Sequence, residues 1–201
     1  MIVKICGITN EKDAQVAIEA GADALGLNFY GKSPRFVSLE EGRRVARLPG
    51  RHLRVGIFVN AEPDELLRTS EDAGLDVVQV HGAYRPTRLR TWRGLRAGDP
   101  PPVEDPNVEA YLLDTPGAAF GGSGRTFDWR LAAAFPYRKI VAGGLDEWNV
   151  AAAIKACEPW GVDACSRLES APGVKDAARV RAFIRAARAA VTREAVHEAS
   201  L

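Results

Sequence analysis

The chain has 201 residues, 46% hydrophobic and 26% charged, which suits one well-buried core or at most two small ones. A net charge of +1 excludes a global attraction to nucleic acid or acidic membrane, and no stretch approaches the roughly 20 apolar residues of a membrane span. Cys6, Cys157 and Cys165 are odd in number and form no C-x-x-C, which argues against a disulfide framework or zinc site and for a reduced, cytoplasmic setting.

The first strand is expected over Ile2–Cys6, where apolar residues surround Lys4 and Gly7 ends the run. Lys4 also interrupts the only apolar stretch that a signal peptide could use. A helix over Asn10–Ala20 opens on a Thr/Asn cap, with Ala14 and Ile18 at helical spacing. Strand Ala24–Asn28 follows. Helix Leu39–Leu48 then starts behind Ser38, with Glu41 completing a capping box. Strand Leu53–Val59 leads to helix Glu62–Ala73, which has Pro63 in its first turn, and then to strand Asp76–Val80. A short helix fits Pro86–Arg90. It lies in the arginine-rich stretch Arg85–Arg96, which reads as solvated surface because only Tyr84 and Trp92 interleave with it.

Strand Trp92–Arg96 is followed by the proline-rich segment Ala97–Val108, which cannot hold a regular helix. The remaining pattern is strand Glu109–Asp114, short helix Asp128–Ala134, strand Lys139–Ala142, helix Trp148–Ala156, strand Gly161–Cys165 and helix Lys175–Ala190. Val191–Leu201 reads as a frayed extension of that last helix. One joint recurs at Gly21-Ala22-Asp23, Gly74-Leu75-Asp76 and Gly161-Val162-Asp163, each a glycine cap followed by an aspartate at a strand opening.

Eight near-continuous apolar strands with helices between them point to an α/β fold, a single (β/α)8 TIM barrel over residues 1–201. It is near minimal size, with a loop in place of the fifth helix. A doubly wound open sheet is the competing architecture.

In such a barrel the chemistry sits at the C-terminal strand ends. Those ends carry Cys6, Asn28 with Ser33-Pro34-Arg35, Asn60, His81, Asp114 with Gly121–Gly124, Gly143-Gly144, and Ser166-Arg167. Gly143 and Gly144, with the polar turn after the last strand, occupy the usual phosphate seat, where backbone N–H groups meet phosphate oxygens. Cys6 is either a small core residue or, near the helix start at Asn10, a thiolate able to act as a base. Asp114 ends an apolar strand. It is either a loop cap or a carboxyl that burial keeps protonated, and then it pairs with Cys6 as acid with base.

The segments KICGIT, NFYGKSPRFVS, VQVHG, LLDT…GGSGRTFDW, VAGGL and VD…PGVKD, in that order from Val3 to Phe183, resemble the phosphoribosylanthranilate isomerases of tryptophan biosynthesis. The resemblance implies a TIM barrel that performs an Amadori rearrangement of N-(5-phosphoribosyl)anthranilate. It implies Cys6 as general base, Asp114 as general acid and Arg35 at the anthranilate carboxylate, with His81 near the substrate. Phe29 and Tyr30 either flank the anthranilate ring or pack in the core, and Gly121–Gly124 form either a plain turn or a loop over the substrate.

No redox change is involved, so no cofactor and no metal are expected. The implied partner is a small phosphosugar–anthranilate molecule, with no nucleic acid or membrane, on a monomer or homodimer. One departure stands out. The family usually reads Asp-x-Ser-Ser-Gly-Val-Glu after the last strand, and this chain reads Asp163-Ala164-Cys165-Ser166-Arg167-Leu168-Glu169. Arg167 replaces a glycine, so it either strains a φ > 0 position or meets the phosphate directly. Cys165 replaces a serine and reads as structural. A non-catalytic phosphosugar-binding barrel and the related histidine-pathway isomerase are the alternatives. The latter uses an aspartate where this chain has Cys6.

Overall fold

The computed structural model describes residues 1–116 and 124–198, with side chains through residue 191. Strands β1 (Ile2–Ile5), β2 (Ala24–Asn28), β3 (Leu53–Val59), β4 (Val77–His81), β5 (Thr91–Arg96), β6 (Val108–Asp114), β7 (Lys139–Val141) and β8 (Gly161–Ala164) pair in chain order, all parallel. β8 pairs back onto β1, from Ile2 opposite Gly161 to Ile5 opposite Ala164, and this closes the barrel. That seam excludes the open sheet.

The connections are helices α1 (Glu11–Glu19), α2 (Leu39–Ala46), α3 (Pro63–Ala73), the single turn α4 (Arg130–Ala133), α5 (Val150–Cys157) and α6 (Ala177–Glu198). Asn10 caps α1 through its side chain, and Ser38 with Glu41 forms the capping box of α2. The loop expected in place of the fifth helix is present at 97–107. The helix expected at Pro86–Arg90 is not. The Thr87 hydroxyl accepts the Leu89 N–H at 3.2 Å, a local bond that competes with a helical turn too short to nucleate by itself. The expected C-terminal extension falls on the end of α6, which runs to Glu198, and 199–201 lie outside the described residues.

The recurring glycine–aspartate joint holds in two places of three. Gly21 and Gly74 have φ of 93° and 67°, and the Asp23 and Asp76 carboxylates accept the Val3 and Arg54 N–H groups of the preceding strand at 2.7 and 2.8 Å. The third copy differs because α5 ends earlier, at Glu158, whose own φ is 42°. Gly161 is therefore already in β8, and Asp163 lies inside the strand.

Period-two alternation divides the strand residues between two cores. Val3, Ile5, Leu25 and Leu27 face the helices. Ala24, Val55, Val77, Trp92, Ala110, Leu112 and Ile140 fill the barrel itself, and each fully buried Val, Leu or Ile there contributes ~1.5–3 kcal/mol. Trp92 is completely buried. It meets Trp160 edge-on at 5.8 Å and donates its indole N–H to Glu109 at 2.7 Å. These aromatics seal the N-terminal end, so the polar residues collect at the other.

Candidate active site

The interior parity of each strand decides what reaches the open end. Counting upward by two gives Lys4 and Cys6 on β1, Asn28 on β2, Gln79 and His81 on β4, Asp114 on β6, and Asp163 and Cys165 on β8. All except Lys4 line one pocket, together with Ser33, Arg35, Gly124, Gly143, Gly144, Ser166 and Arg167. The structure thus brings together Cys6, Asp114, Arg35, His81, Gly143, Gly144, Ser166 and Arg167, while Asn60 stays outside the pocket, its side-chain oxygen accepting the Ala83 N–H at 2.8 Å.

At the floor of the pocket lies an ion pair not foreseen from the sequence. Lys4 Nζ and Asp163 Oδ1 are 2.9 Å apart, joined across the β1–β8 seam, with Lys4 wholly buried. Burial disfavours the Lys4 charge, but Asp163 and Cys6 outweigh it and hold the proton beyond the usual range. Burial pushes Asp163 up to about 7 against the pull of Lys4. One cation therefore serves two acids. The alternation rule could have found both residues, since each lies two positions before a cysteine at the pocket, and a charge inside a closed barrel needs a partner.

Cys6 is held well below the usual thiol range. A hydrogen bond from the Cys165 thiol is the first cause, and the Lys4 and Lys175 ammonium groups add to it against the cost of burial. Cys165 is held up by that same hydrogen bond and by burial, so Cys6 is the thiolate of the pair and Cys165 the thiol. The structure therefore assigns Cys165 more than the structural part read from sequence. The causes also differ from the helix start invoked there, whose first turn is capped by Asn10.

Across the mouth, burial raises the carboxyl of Asp114, and the charge of Cys6 raises it further, while the Thr115 N–H, donating at 2.7 Å, opposes them. Gly143 lies against this group with φ of 81°, and a Cβ there would overlap Thr115 Oγ1 and come 3.0 Å from Asp114 Oδ1. Only glycine allows the turn after β7 to pack beside the acid.

Arg35 is fixed by its own motif. The Ser33 hydroxyl accepts the Arg35 N–H at 3.1 Å, and the guanidinium makes a two-pronged pair with Glu169 through Nε at 2.9 Å and Nη2 at 2.7 Å. Glu169 lies on a small hairpin, β9 (Glu169–Ala171) with β10 (Val174–Lys175), and also accepts Lys175 Nζ at 2.8 Å. Nη1 of Arg35 has no partner among the described residues. His81 is kept neutral by burial, down to about 4, and its Nε2 stands 2.8 Å from the Gln79 amide nitrogen. Gln79 Oε1 is buried with no partner among the described residues.

Arg167 stands in a 3-10 turn, Ser166–Leu168, and is not among the residues with positive φ, so the strain expected of an arginine at a glycine position does not arise. Its guanidinium reaches across the mouth, donating to the Gly124 carbonyl at 2.8 Å and standing 3.6 Å from Asp146 Oδ2. Phe29 stacks on Phe58 at 5.5 Å and packs under Gly42, so it belongs to the core and not to the pocket wall. Of the Gly121–Gly124 segment only Gly124 is described; residues 121–123 lie outside the described residues.

No helix among the described residues is long and apolar enough to cross a membrane, and no cluster of potential metal ligands occurs among them. The family model described as N-(5'phosphoribosyl)anthranilate (PRA) isomerase matches residues 3–186. A relative from Solibacter usitatus named N-(5'-phosphoribosyl)anthranilate isomerase is 48% identical, over 95% of this chain and 99% of its own length. The crystal structure of phosphoribosyl anthranilate isomerase from Thermotoga maritima superposes with a TM-score of 0.81 at 37% identity, covering 94% of this chain and 100% of that one. A structure of such an isomerase in complex with reduced 1-(o-carboxyphenylamino)-1-deoxyribulose 5-phosphate superposes with a TM-score of 0.77 at 35% identity, over 94% of this chain and 100% of that one.

Proposed function

Because the chain belongs to the N-(5'-phosphoribosyl)anthranilate isomerase family, we infer that its pocket runs the family's Amadori rearrangement with Cys6 as base and Asp114 as acid. The enzyme is an isomerase of tryptophan biosynthesis, converting N-(5-phosphoribosyl)anthranilate to 1-(2-carboxyphenylamino)-1-deoxyribulose 5-phosphate. The observation that carries the assignment is electrostatic. Facing groups at one pocket mouth are pushed in opposite directions, the Cys6 thiol toward thiolate and the Asp114 carboxyl toward the protonated form.

Asp114 gives its proton to the furanose ring oxygen. The C1′–O bond breaks as the anthranilate nitrogen forms an iminium. The Cys6 thiolate then removes the C2′ proton, and the electron pair left behind neutralises the iminium to an enolamine. That species tautomerises to the ketone. Electrons move only within the substrate.

Nη1 of Arg35 is the donor offered to the anthranilate carboxylate, with Glu169 holding the guanidinium plane still. Gly143, Gly144 and Ser166 form the phosphate seat, and Arg167 closes it with a positive charge. His81, neutral and tied to Gln79, offers an uncharged polar edge to the sugar.

The test follows the loss of substrate fluorescence. Phosphoribosylanthranilate is generated in situ from anthranilate and phosphoribosyl pyrophosphate, and wild type is compared with Cys6→Ser. Decay with wild type and none with the folded variant is expected. Undiminished turnover by Cys6→Ser would remove the base assignment.

A further inference from the structure

Cys6 and Cys165 directly follow Ile5 and Ala164, which are register partners on neighbouring strands, and the Cys6 N–H donates to the Ala164 carbonyl at 2.9 Å. Neighbouring strands lie ~4.7–4.9 Å apart, within the ~4.4–6.8 Å Cα separation that a disulfide tolerates. Both side chains line the same pocket. Glycines flank the pair: a Cβ on Gly7 would come 2.8 Å from Cys165 Sγ, and one on Gly26 would come 2.9 Å from Cys6 Sγ. The sulfurs use the space that side chains would fill, and both cysteines are partly accessible. The Ser-to-Cys departure at 165 thus places a second thiol beside the first.

We propose that Cys6 and Cys165 are an oxidation site, closing to a reversible disulfide when the enzyme meets a hydroperoxide. The Cys6 thiolate attacks the peroxide. A sulfur–oxygen bond forms, the O–O bond breaks, and the leaving oxygen takes a proton and departs as water or alcohol. Cys6 is oxidised to the sulfenic acid and the peroxide is reduced. Cys165 then attacks the Cys6 sulfur. The S–S bond forms, the S–O bond breaks, and the released hydroxide takes the Cys165 proton and leaves as water.

The first step prepares the second. What keeps Cys165 protonated is chiefly its hydrogen bond to the Cys6 thiolate, and a neutral sulfenic acid removes that charge. Lys175 Nζ, 3.8 Å from Cys165 Sγ, then favours the Cys165 thiolate. The disulfide arrests Cys6 before irreversible over-oxidation. The loss of activity it entails rests on the reading of Cys6 as base, whereas the crosslink rests on the neighbouring placement of the two cysteines.

The full-length enzyme is treated with a few equivalents of hydrogen peroxide and followed by intact mass, thiol titration, peptide mapping and turnover. The expected product has lost two hydrogens, carries a peptide joining Cys6 to Cys165, and keeps Cys157 as its one titratable thiol. Cys157 serves as internal control, since it is buried in α5 and donates to the Ala153 carbonyl at 2.9 Å. Turnover falls in step with the crosslinked fraction and returns with dithiothreitol. In Cys165→Ser, Cys6 instead gains two oxygens as the sulfinic acid, and dithiothreitol restores nothing. Wild type that gains two oxygens on Cys6 with no crosslinked peptide overturns the proposal. A crosslink that leaves turnover intact overturns the base assignment of Cys6 while the disulfide stands.

Discussion

Lys4 Nζ lies 2.9 Å from Asp163 Oδ1, and both groups are buried inside the barrel directly below Cys6 and Cys165. The ammonium is shared between a carboxylate and a thiolate. It therefore links the stability of the barrel to the charge state of the base above it.

Lys4→Met should damage both. A buried carboxylate that loses its partner costs ~3–5 kcal/mol, measurable by urea unfolding. Cys6 loses an attracting charge at the same time, so the acid limb of the kcat/KM profile should move to higher pH. Adding Asp163→Asn should recover most of the stability and leave the limb displaced. A folded Lys4→Met enzyme with an unmoved acid limb would remove Lys4 from the account of the thiolate.

Asp163 makes its own contribution to stability against pH. Its value is about 7 in the folded chain and 3.8 for an ordinary aspartate. Between those values the folded state keeps a proton that the unfolded chain has lost, so stability falls as pH rises. The contribution is complete below about 3.8 and lost as pH passes through about 7. Urea midpoints of Asp163→Asn across that interval should show a flatter slope than wild type. An identical slope would mean that Asp163 does not titrate there.

Asp114→Asn keeps the shape of the side chain and removes the transferable proton. A positioned general acid is worth ~10²–10⁴ in rate, so kcat should fall by that order while KM stays within a few-fold. Steady-state kinetics on the folded variant tests this. A raised KM with unchanged kcat would make Asp114 a binding group.

Arg35→Lys keeps the charge and loses the fork. A hydrogen bond to a charged group is worth ~1.5–3 kcal/mol, so KM should rise by roughly ten- to a hundredfold with a smaller change in kcat. Glu169→Gln should raise KM more modestly, by loosening a guanidinium that is still present. If neither variant changes KM, the anthranilate carboxylate lies elsewhere.

The barrel was legible because its strands are local signals. All eight begin and end within one residue of where apolar runs and glycines place them, as β2 at Ala24–Asn28 and β3 at Leu53–Val59 illustrate. The pocket residues were legible because topology alone puts strand ends such as Cys6 and Asp114 together. Lys4 and Asp163 escaped because a single charge in a short apolar strand reads as an interruption, and its partner lies 159 positions away. The clasp of Arg35 by Glu169, 134 positions apart, is hidden for the same reason. Side-chain partners across a closed sheet depend on register, which no local pattern specifies. The third glycine–aspartate joint misled because the motif was intact and the helix before it had already ended.

The seam between β1 and β8 unites the first strand of the chain with the last strand of its barrel, and Cys6, Lys4, Asp163 and Cys165 all stand on it. Contacts between such distant segments are the most costly in loop entropy and form late. Catalytic competence should therefore arrive only at the final closure of the circle, after most helices have formed. In a refolding time course, turnover should trail far-ultraviolet circular dichroism, and coincident recovery of the two would mean that the seam forms early. Truncations that stop short of β8 would keep Cys6 and Asp114 yet lack the ammonium's partner and the second thiol. The emergence of activity in this chain is in effect a reading of when the two edges of its barrel have met.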